Sequence, residues 1–151
     1  MLSIAINSNA AKRRHQLRRS QAGSAAVEFA IIAPVFIFMM VGMLAFGIYL
    51  SAAHSIRQLS ADAARASIPG LTENERTALA TAFVANSAGR YAFIDPERLK
   101  VTVKDSEEYE NRFDVELQYD ASKLPIWNLS TIVPLPGKTI VGVTTIQNGG
   151  V

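Results

Sequence analysis

Residues 23–50, GSAAVEFAIIAPVFIFMMVGMLAFGIYL, decide the fold of this 151-residue chain. Their apolar part, Phe29 to Leu50, has 22 residues. As an α-helix it would extend about 33 Å, against a bilayer hydrocarbon thickness of about 30 Å. A secretory h-region has only about 7 to 15 residues, and a helix in a soluble core would carry a polar stripe that this run lacks. We therefore predict a membrane-spanning helix over residues 24–50.

Five basic residues and no acidic residue precede this run; they are Lys12, Arg13, Arg14, Arg18 and Arg19. Lys and Arg beside a membrane segment are retained on the cytoplasmic side, so we expect a cytoplasmic N-terminus and an exported C-terminal part. The exported part has about 100 residues, enough for one small domain. Since the chain has no cysteine, that domain must rely on packing without a disulfide.

Glu28 stands directly before the apolar run and five residues after Gly23. An ionisable side chain at membrane depth costs several kcal/mol and by default indicates a functional site with a charged partner. The expected partner is a positive charge at similar depth. An alternative is that Glu28 lies at the level of the cytoplasmic headgroups, near Arg18 and Arg19.

The spacing from Gly23 to Glu28, followed by an apolar helix, resembles the processing site of type IV pilins and pseudopilins. A narrower resemblance, from Gly23 to about Ile68, is to the TadE-like pseudopilins of the tight-adherence (Tad) pilus system. It rests on Glu-Phe-Ala at 28–30, on Pro34, and on the alanine-rich HSIRQLSADAARASI at 54–68.

This resemblance implies that a membrane-embedded prepilin peptidase cuts between Gly23 and Ser24 and removes residues 1–23 as a basic leader. Ser24, Glu28 and Phe29 would then be the assembly residues, with Glu28 paired to the new α-amino group of Ser24 on a neighbouring subunit. An intramolecular pair is also within reach, because positions four apart share a helix face. Opposite charges attract strongly at low dielectric, so such a pair would align subunits.

The function implied is that of a minor pilin or pseudopilin needed to assemble a bacterial Tad (Flp-type) pilus. The expected location is the inner membrane with a periplasmic head, or the pilus itself after incorporation. The expected partners are the prepilin peptidase, other pilins and pseudopilins, the inner-membrane assembly platform and the lipid bilayer. One alternative is an uncleaved single-pass anchor that presents a periplasmic interaction domain. Another is secretion after conventional cleavage at Ser51-Ala52-Ala53.

We expect the helix to continue beyond the membrane over residues 51–70 and to end at Pro69 and Gly70. An apolar stripe recurs at intervals of four and three; its members are Ala52, Ile56, Leu59, Ala63 and Ala66. The stripe indicates either packing on the chain's own head, which we favour, or a contact with another subunit. Pro34 lacks an N–H, so we also predict a bend within the membrane segment.

Residues 71–151 predict a small α+β head with a second helix and an antiparallel sheet of about three strands. Thr72 and Glu75 form a capping box, and we place the helix's apolar face at Ala78, Leu79, Ala82 and Phe83. Alternating apolar and polar residues predict strands at 99–104, 113–120 and 139–147. Prolines exclude a central strand in LPIWNLSTIVPLPG at 124–137, where we expect Trp127 to anchor an apolar connection.

The composition argues against an enzyme that uses side-chain or metal chemistry. The chain offers no cysteine, no Gly-rich phosphate loop and only two histidines, His15 and His54. We therefore predict no catalysis, no cofactor and no metal. Residues 24–151 contain 10 Lys and Arg against 13 Asp and Glu, a formal net charge of −3, so nucleic-acid binding loses its electrostatic support.

Overall fold

The computed structural model describes the backbone of residues 7–109, 111–131 and 135–147, and the side chains within these ranges from residue 23 onward. Its helices are α1 (Asn7–Ser67) and α2 (Glu73–Ser87), and its strands are β1 (Leu99–Asp105), β2 (Arg112–Asp120) and β3 (Thr139–Gln147). The chain divides into two compact units, Met1–Val41 and Gly42–Val151. The predicted α+β class, with a long N-terminal helix, a second helix and three antiparallel strands, is confirmed.

The three strands form one antiparallel sheet in the order β1-β2-β3. Side chains alternate between its two faces because successive residues of a strand point in opposite directions. The inner face of β2 consists of four buried side chains, which are Phe113, Val115, Leu117 and Tyr119. The outer face of β2 is polar, as the sequence alternation predicted.

A short turn and a longer connection join these strands. An exposed turn joins β1 to β2, and within it the Ser106 N–H donates to the Arg112 carbonyl at 2.8 Å. The predicted proline-rich connection between β2 and β3 contains a 3₁₀ helix, Pro125–Leu129. Ile126 and Leu129 are its buried members, whereas Trp127 is half-buried. Pro134 lies outside the described residues.

The carboxyl-terminal part of α1 packs on the inner face of the sheet. Four members of the predicted stripe have no exposed surface; these are Ala52, Ile56, Leu59 and Ala63. Ala66 is half-buried. This burial agrees with packing on the chain's own head, the interpretation that the sequence favoured, and it leaves the four buried residues no exposed surface for another subunit.

Gly142 on β3 allows this close approach. A Cβ placed there would lie 2.9 Å from the Ile56 carbonyl oxygen and 3.1 Å from the Ile56 Cγ2 atom. Contacts below 3.0 Å are repulsive, and a helix backbone cannot move aside as a flexible side chain could. The missing side chain of Gly142 is therefore what lets α1 lie against the sheet.

The capping box at the start of α2 is present as predicted. The Thr72 Oγ1 accepts from the Glu75 N–H at 3.3 Å, and the Glu75 Oε2 accepts from the Thr72 N–H at 3.3 Å. The same carboxylate also accepts from the Leu71 N–H at 2.8 Å. Together these bonds satisfy backbone donors that a helix start leaves unpaired.

The predicted apolar face of α2 is wrong. Ala78, Leu79 and Ala82 are exposed and Phe83 is half-buried; the buried residues of the helix are Ala80 and Val84. The reason is Arg76, which begins the same i, i+4 row and turns inward despite its charge. Its guanidinium carbon lies 4.8 Å from the centre of the Phe113 ring, its Nη1 pairs with Asp105, and its Nε donates to the Gly70 carbonyl at 3.1 Å.

Replacing Gly142 by alanine should destabilise the head, because the added methyl group overlaps the Ile56 backbone. We expect a loss of about 1–3 kcal/mol in the free energy of unfolding, as for other overpacked cores. Gly89→Ala is the matched control, since a Cβ there meets no atom within 4 Å. Urea unfolding of the full chain in detergent, followed by the fluorescence of Trp127, measures both. Equal stabilities of the two variants would contradict the role given to Gly142.

Candidate membrane and processing site

Between Gly23 and Val41, α1 exposes almost every side chain; only Ala33 is half-buried. Large apolar residues are included, with Phe29 at 72% exposed and Ile31 at 68%. The segment is long and apolar enough to cross a membrane. An all-round apolar surface of this size is unfavourable in water, which agrees with anchoring of the chain in a membrane.

Gly23, Ser24, Glu28 and Phe29 all lie exposed on α1. Ser24 and Glu28 are four residues apart, so they lie on one face of the helix at neighbouring turns. A Cβ added at Gly23 would meet no atom within 4 Å, so the fold itself leaves room for a side chain there. No Lys or Arg occurs between Gly23 and Ile56, which means that a positive partner for Glu28 cannot come from the apolar segment.

The five basic residues of the leader, which are Lys12, Arg13, Arg14, Arg18 and Arg19, lie in α1 (Asn7–Ser67). The structure describes the backbone of these residues and not their side chains. The orientation that they predict, with the N-terminus in the cytoplasm, stays a prediction.

Pro34 lies inside α1, which continues on both sides of it. Its ring nitrogen cannot donate, so the Ala30 carbonyl loses its usual intrahelical partner. In a membrane, neighbouring helices or small local adjustments satisfy such a carbonyl. The bend that we predicted here stays a prediction.

The head contacts α1 earlier than the sequence indicated. Its compact unit starts at Gly42, and Ala45 is only 4% exposed. Phe46, Ile48 and Tyr49 also pack against the buried core, as half-buried residues. The last two turns of the predicted membrane segment are thus covered by protein on one side.

The other side of the same two turns is bare and apolar. Met43 is 73% exposed, Leu44 67% and Leu50 62%. Polar residues appear on the exposed side only later, at His54 and Arg57. The apolar surface of α1 therefore extends past the point where the head begins to cover the helix.

Two hydrogen bonds attach the head's loops to this part of α1. The Tyr49 hydroxyl donates to the Gly137 carbonyl at 3.2 Å, and the Ser55 Oγ donates to the Ala92 carbonyl at 3.5 Å. Both acceptors lie far away along the chain, in loops before β1 and β3. No pattern in the sequence indicated either contact.

Ser60 links α1 to two strands from inside the core. Its buried hydroxyl lies 3.0 Å from the Val115 carbonyl, to which it donates, and 3.1 Å from the Thr144 Oγ1. A buried hydroxyl without partners would be costly. Because both partners are on the sheet, the hydroxyl also specifies the position of α1 along β2 and β3.

Asp62 forms a second polar link, at the edge of the head. It accepts from the Tyr91 hydroxyl at 2.8 Å and from the Arg65 Nη1 at 2.8 Å. Burial raises the pKa of Tyr91, and the hydrogen bond to the Asp62 carboxylate and its negative charge raise it further. Periodicity did not predict this contact, because Tyr91 lies in an irregular segment.

Tyr119 fixes the turn that follows Tyr91. Its hydroxyl donates to the Phe93 carbonyl at 3.2 Å and accepts from the Asp95 N–H at 3.4 Å. Phe93 has a φ of 63°, which is unfavourable for a residue with a large side chain. Its ring is 52% exposed, so the turn presents an aromatic surface that the sequence did not indicate.

Within the ranges that the structure describes, no three His, Asp or Glu side chains cluster so that they could hold a metal ion. Several acidic residues of the head instead pair with arginine or with backbone N–H groups. Asp120, for example, lies 3.4 Å from the Arg98 Nη1. The pKa of Asp120 is lowered, mainly by the hydrogen bond that its carboxylate accepts from the Ser122 N–H at 2.9 Å.

The model of the TadE-like protein family matches residues 23–65, and this confirms the resemblance that the sequence predicted for this segment. The match starts at Gly23 and covers Glu28, Pro34 and the buried stripe up to Ala63. No curated protein and no solved structure matches the chain.

Tyr91→Phe should change how the stability of the head depends on pH. The pKa of Tyr91 is raised on folding. The stability that Tyr91 contributes to the head is therefore complete below a pH of about 10 and is lost as the pH rises through the folded pKa. At neutral pH we expect Tyr91→Phe to cost about 1 kcal/mol for the lost hydrogen bond.

Above pH 10 the difference in the free energy of unfolding between Tyr91→Phe and the wild type should become smaller. Only the wild type has a phenol next to Asp62 that ionises in this range, and its ionisation is unfavourable in the folded state. Urea unfolding of both full-length proteins in detergent across this range measures the effect. Tyr109→Phe, at an exposed site in the β1–β2 turn, is the control. A difference in the free energy of unfolding that stays constant with pH would contradict the interaction between Tyr91 and Asp62.

Proposed function

Because residues 23–65 match the TadE-like family, we propose that this chain is a minor pseudopilin that serves assembly of a bacterial Tad (Flp-type) pilus. The observation that carries the proposal is where the match begins. It starts at Gly23, at the end of the basic leader and five residues before the acid that precedes the apolar helix. In this proposal the N-terminus is cytoplasmic, the head is periplasmic, and α1 spans the inner membrane.

A prepilin peptidase would cut between Gly23 and Ser24. Both residues lie in α1, so the helix must open locally for the bond to enter an active site. Glycine favours opening, since it costs about 1 kcal/mol relative to alanine inside a helix. It also presents no side chain to a peptidase, and the fold itself does not require a glycine here, because a Cβ at Gly23 would meet no atom within 4 Å.

Cleavage would give the chain its missing positive partner for Glu28. The new α-amino group of Ser24 carries a charge at the end of an apolar helix that contains no Lys or Arg. A carboxylate and an amine that are both withdrawn from water are each costly alone and favourable together. Subunits that place these groups side by side are therefore preferred, and the pair sets their relative position.

Contacts with other pilins and pseudopilins would fall on the exposed part of α1. The stripe from Ala52 to Ala63 is covered by the chain's own head and offers no surface to a neighbour. Val27 to Leu44, in contrast, exposes apolar side chains all round. In the inner membrane these side chains would face lipid, and during assembly they would exchange lipid for neighbouring helices and the assembly platform.

N-terminal sequencing of the membrane-extracted protein tests the processing step. We expect the mature chain to begin at Ser24. Retention of residues 1–23 in piliated cells would support the uncleaved anchor instead, and a start at His54 would support secretion. Gly23→Leu should block maturation through bulk at the cleaved bond, whereas Ala22→Leu is the neighbouring control. A normal electrophoretic shift of the Gly23→Leu protein would contradict the site.

Glu28→Ala should leave membrane insertion intact and strongly reduce piliation, because the amine of Ser24 loses its partner. Glu28→Gln keeps the shape and removes the charge, so it should be equally defective if charge pairing aligns the subunits. Glu107→Ala, which removes an exposed acid in the β1–β2 turn, is the control. Counts of pili on cells that express each variant measure the effect. Normal piliation with Glu28→Gln would exclude the charge pair.

A further inference from the structure

The two turns of α1 at Leu44–Leu50 have two apolar sides with different surroundings. One side packs on the head through Ala45, while Leu44 and Leu50 on the other side are exposed. A helix surface that stays apolar beside a folded domain is unfavourable in water. The helix that is long and apolar enough to cross a membrane includes these residues, so lipid is the medium that fits this surface best.

The head places suitable groups at the same level. Gly137 is held at Tyr49 by the 3.2 Å hydrogen bond from the tyrosine hydroxyl. The next residue, Lys138, has its Nζ 5.6 Å from the centre of the Trp127 ring. The ring itself is fixed by a hydrogen bond of 2.5 Å from its Nε1 to the Ala121 carbonyl. Tyrosine and tryptophan are enriched where a bilayer meets water.

The charges on the part of the head beside Tyr49 also suit contact with a membrane surface. Residues 124–137 contain no charged side chain, and a lysine flanks them on each side, at Lys123 and Lys138. The nearby acid, Asp120, lies 3.4 Å from the Arg98 Nη1, so part of its charge is compensated. Lysine side chains at this level could pair with lipid phosphates, as basic residues near anionic membranes do.

The direction of β3 shows that this surface lies at the end of the head that contacts Tyr49. Gly137, before β3, lies at Tyr49, whereas Thr144 near its end lies at Ser60. Tyr49 and Ser60 are about 16 Å apart along α1 at ~1.5 Å per residue. The turn between β1 and β2, which includes Asn111, lies beyond Thr144 at the opposite end, because Arg112 pairs with Gln147.

We propose that the base of the head is seated in the outer leaflet of the membrane that α1 crosses. Leu44 and Leu50 contact lipid, Tyr49 and Trp127 lie at the boundary between hydrocarbon and headgroups, and Lys123 and Lys138 bind headgroup phosphates. The inference rests on the membrane orientation in the proposed function. It goes further by giving the head a fixed depth and lipid, rather than protein, as the occupant of this surface.

The single tryptophan of the chain makes the depth measurable. The full-length protein is reconstituted in vesicles of phosphatidylethanolamine and phosphatidylglycerol whose acyl chains are brominated either close to the headgroup or near the chain end. We expect the lipid brominated close to the headgroup to quench most of the Trp127 emission, and the lipid brominated near the chain end to quench much less. Bromine quenches only at short range, so the difference reports depth.

The control moves the tryptophan to the far end of the head. Trp127→Phe combined with Asn111→Trp places the only indole in the exposed β1–β2 turn, where neither brominated lipid should quench it. A variant with Lys138→Glu should show reduced quenching of Trp127, because the acid is repelled by phosphate. Equal emission of Trp127 and of the tryptophan at position 111 in brominated vesicles would overturn the proposal.

Failure of the lipid seating can be distinguished from failure of the proposed function. Quenching depends on membrane insertion and on the position of the head, and it does not require cleavage at Gly23 or assembly of a pilus. A protein that floats with the vesicles but leaves Trp127 unquenched would disprove the seating alone. A protein that does not float with the vesicles would disprove both the seating and the membrane-spanning orientation.

Discussion

The packing of α1 against the inner face of the sheet is the contact on which the head depends. It needs a glycine on β3, because the Ile56 backbone lies where a side chain of residue 142 would be. It is then fixed lengthwise by the Ser60 hydroxyl, which contacts β2 and β3 together. The second helix contacts the sheet through Arg76, whose guanidinium lies over the Phe113 ring. The loop before β1 contacts α1 through Tyr91, whose hydroxyl donates to Asp62. Close apolar packing stabilises the contact, and the buried hydroxyl gives it a unique position.

The same helix has to satisfy two solvents. From Phe29 to Val41 its side chains are apolar and almost all exposed, whereas from Ala52 onward one stripe is buried in the head and the opposite side is polar. Between these parts lie two turns with one side covered by protein and one side suited to lipid. In a pilus-assembly protein this arrangement would leave the membrane part free to contact neighbours, while the head keeps its own part of the helix. Processing at Gly23 and pairing through Glu28 would then act on the free part alone.

Much of the head was predictable because simple patterns act locally. Alternation predicted β3 with its observed bounds, and it predicted the inner residues of β2. The capping box depends only on groups three residues apart, so Thr72 and Glu75 sufficed to predict the start of α2. The face of α2 was wrong because its inward row begins with an arginine. An inward arginine is stable here only because Phe113, Asp105 and the Gly70 carbonyl surround it, and those partners come from distant parts of the chain.

The candidate site divides in the same way. The sequence by itself determined the apolar helix, the acid at its start, the glycine five residues earlier and the basic leader, because these features need only composition and spacing along one chain. Only the tertiary structure decided which side of α1 the head covers, that Ala45 is already buried, and that Gly137, Trp127 and Lys138 meet at the level of Tyr49. Spacing along a helix defines a face but not what lies against it, because the partner is chosen by packing between residues far apart in the sequence.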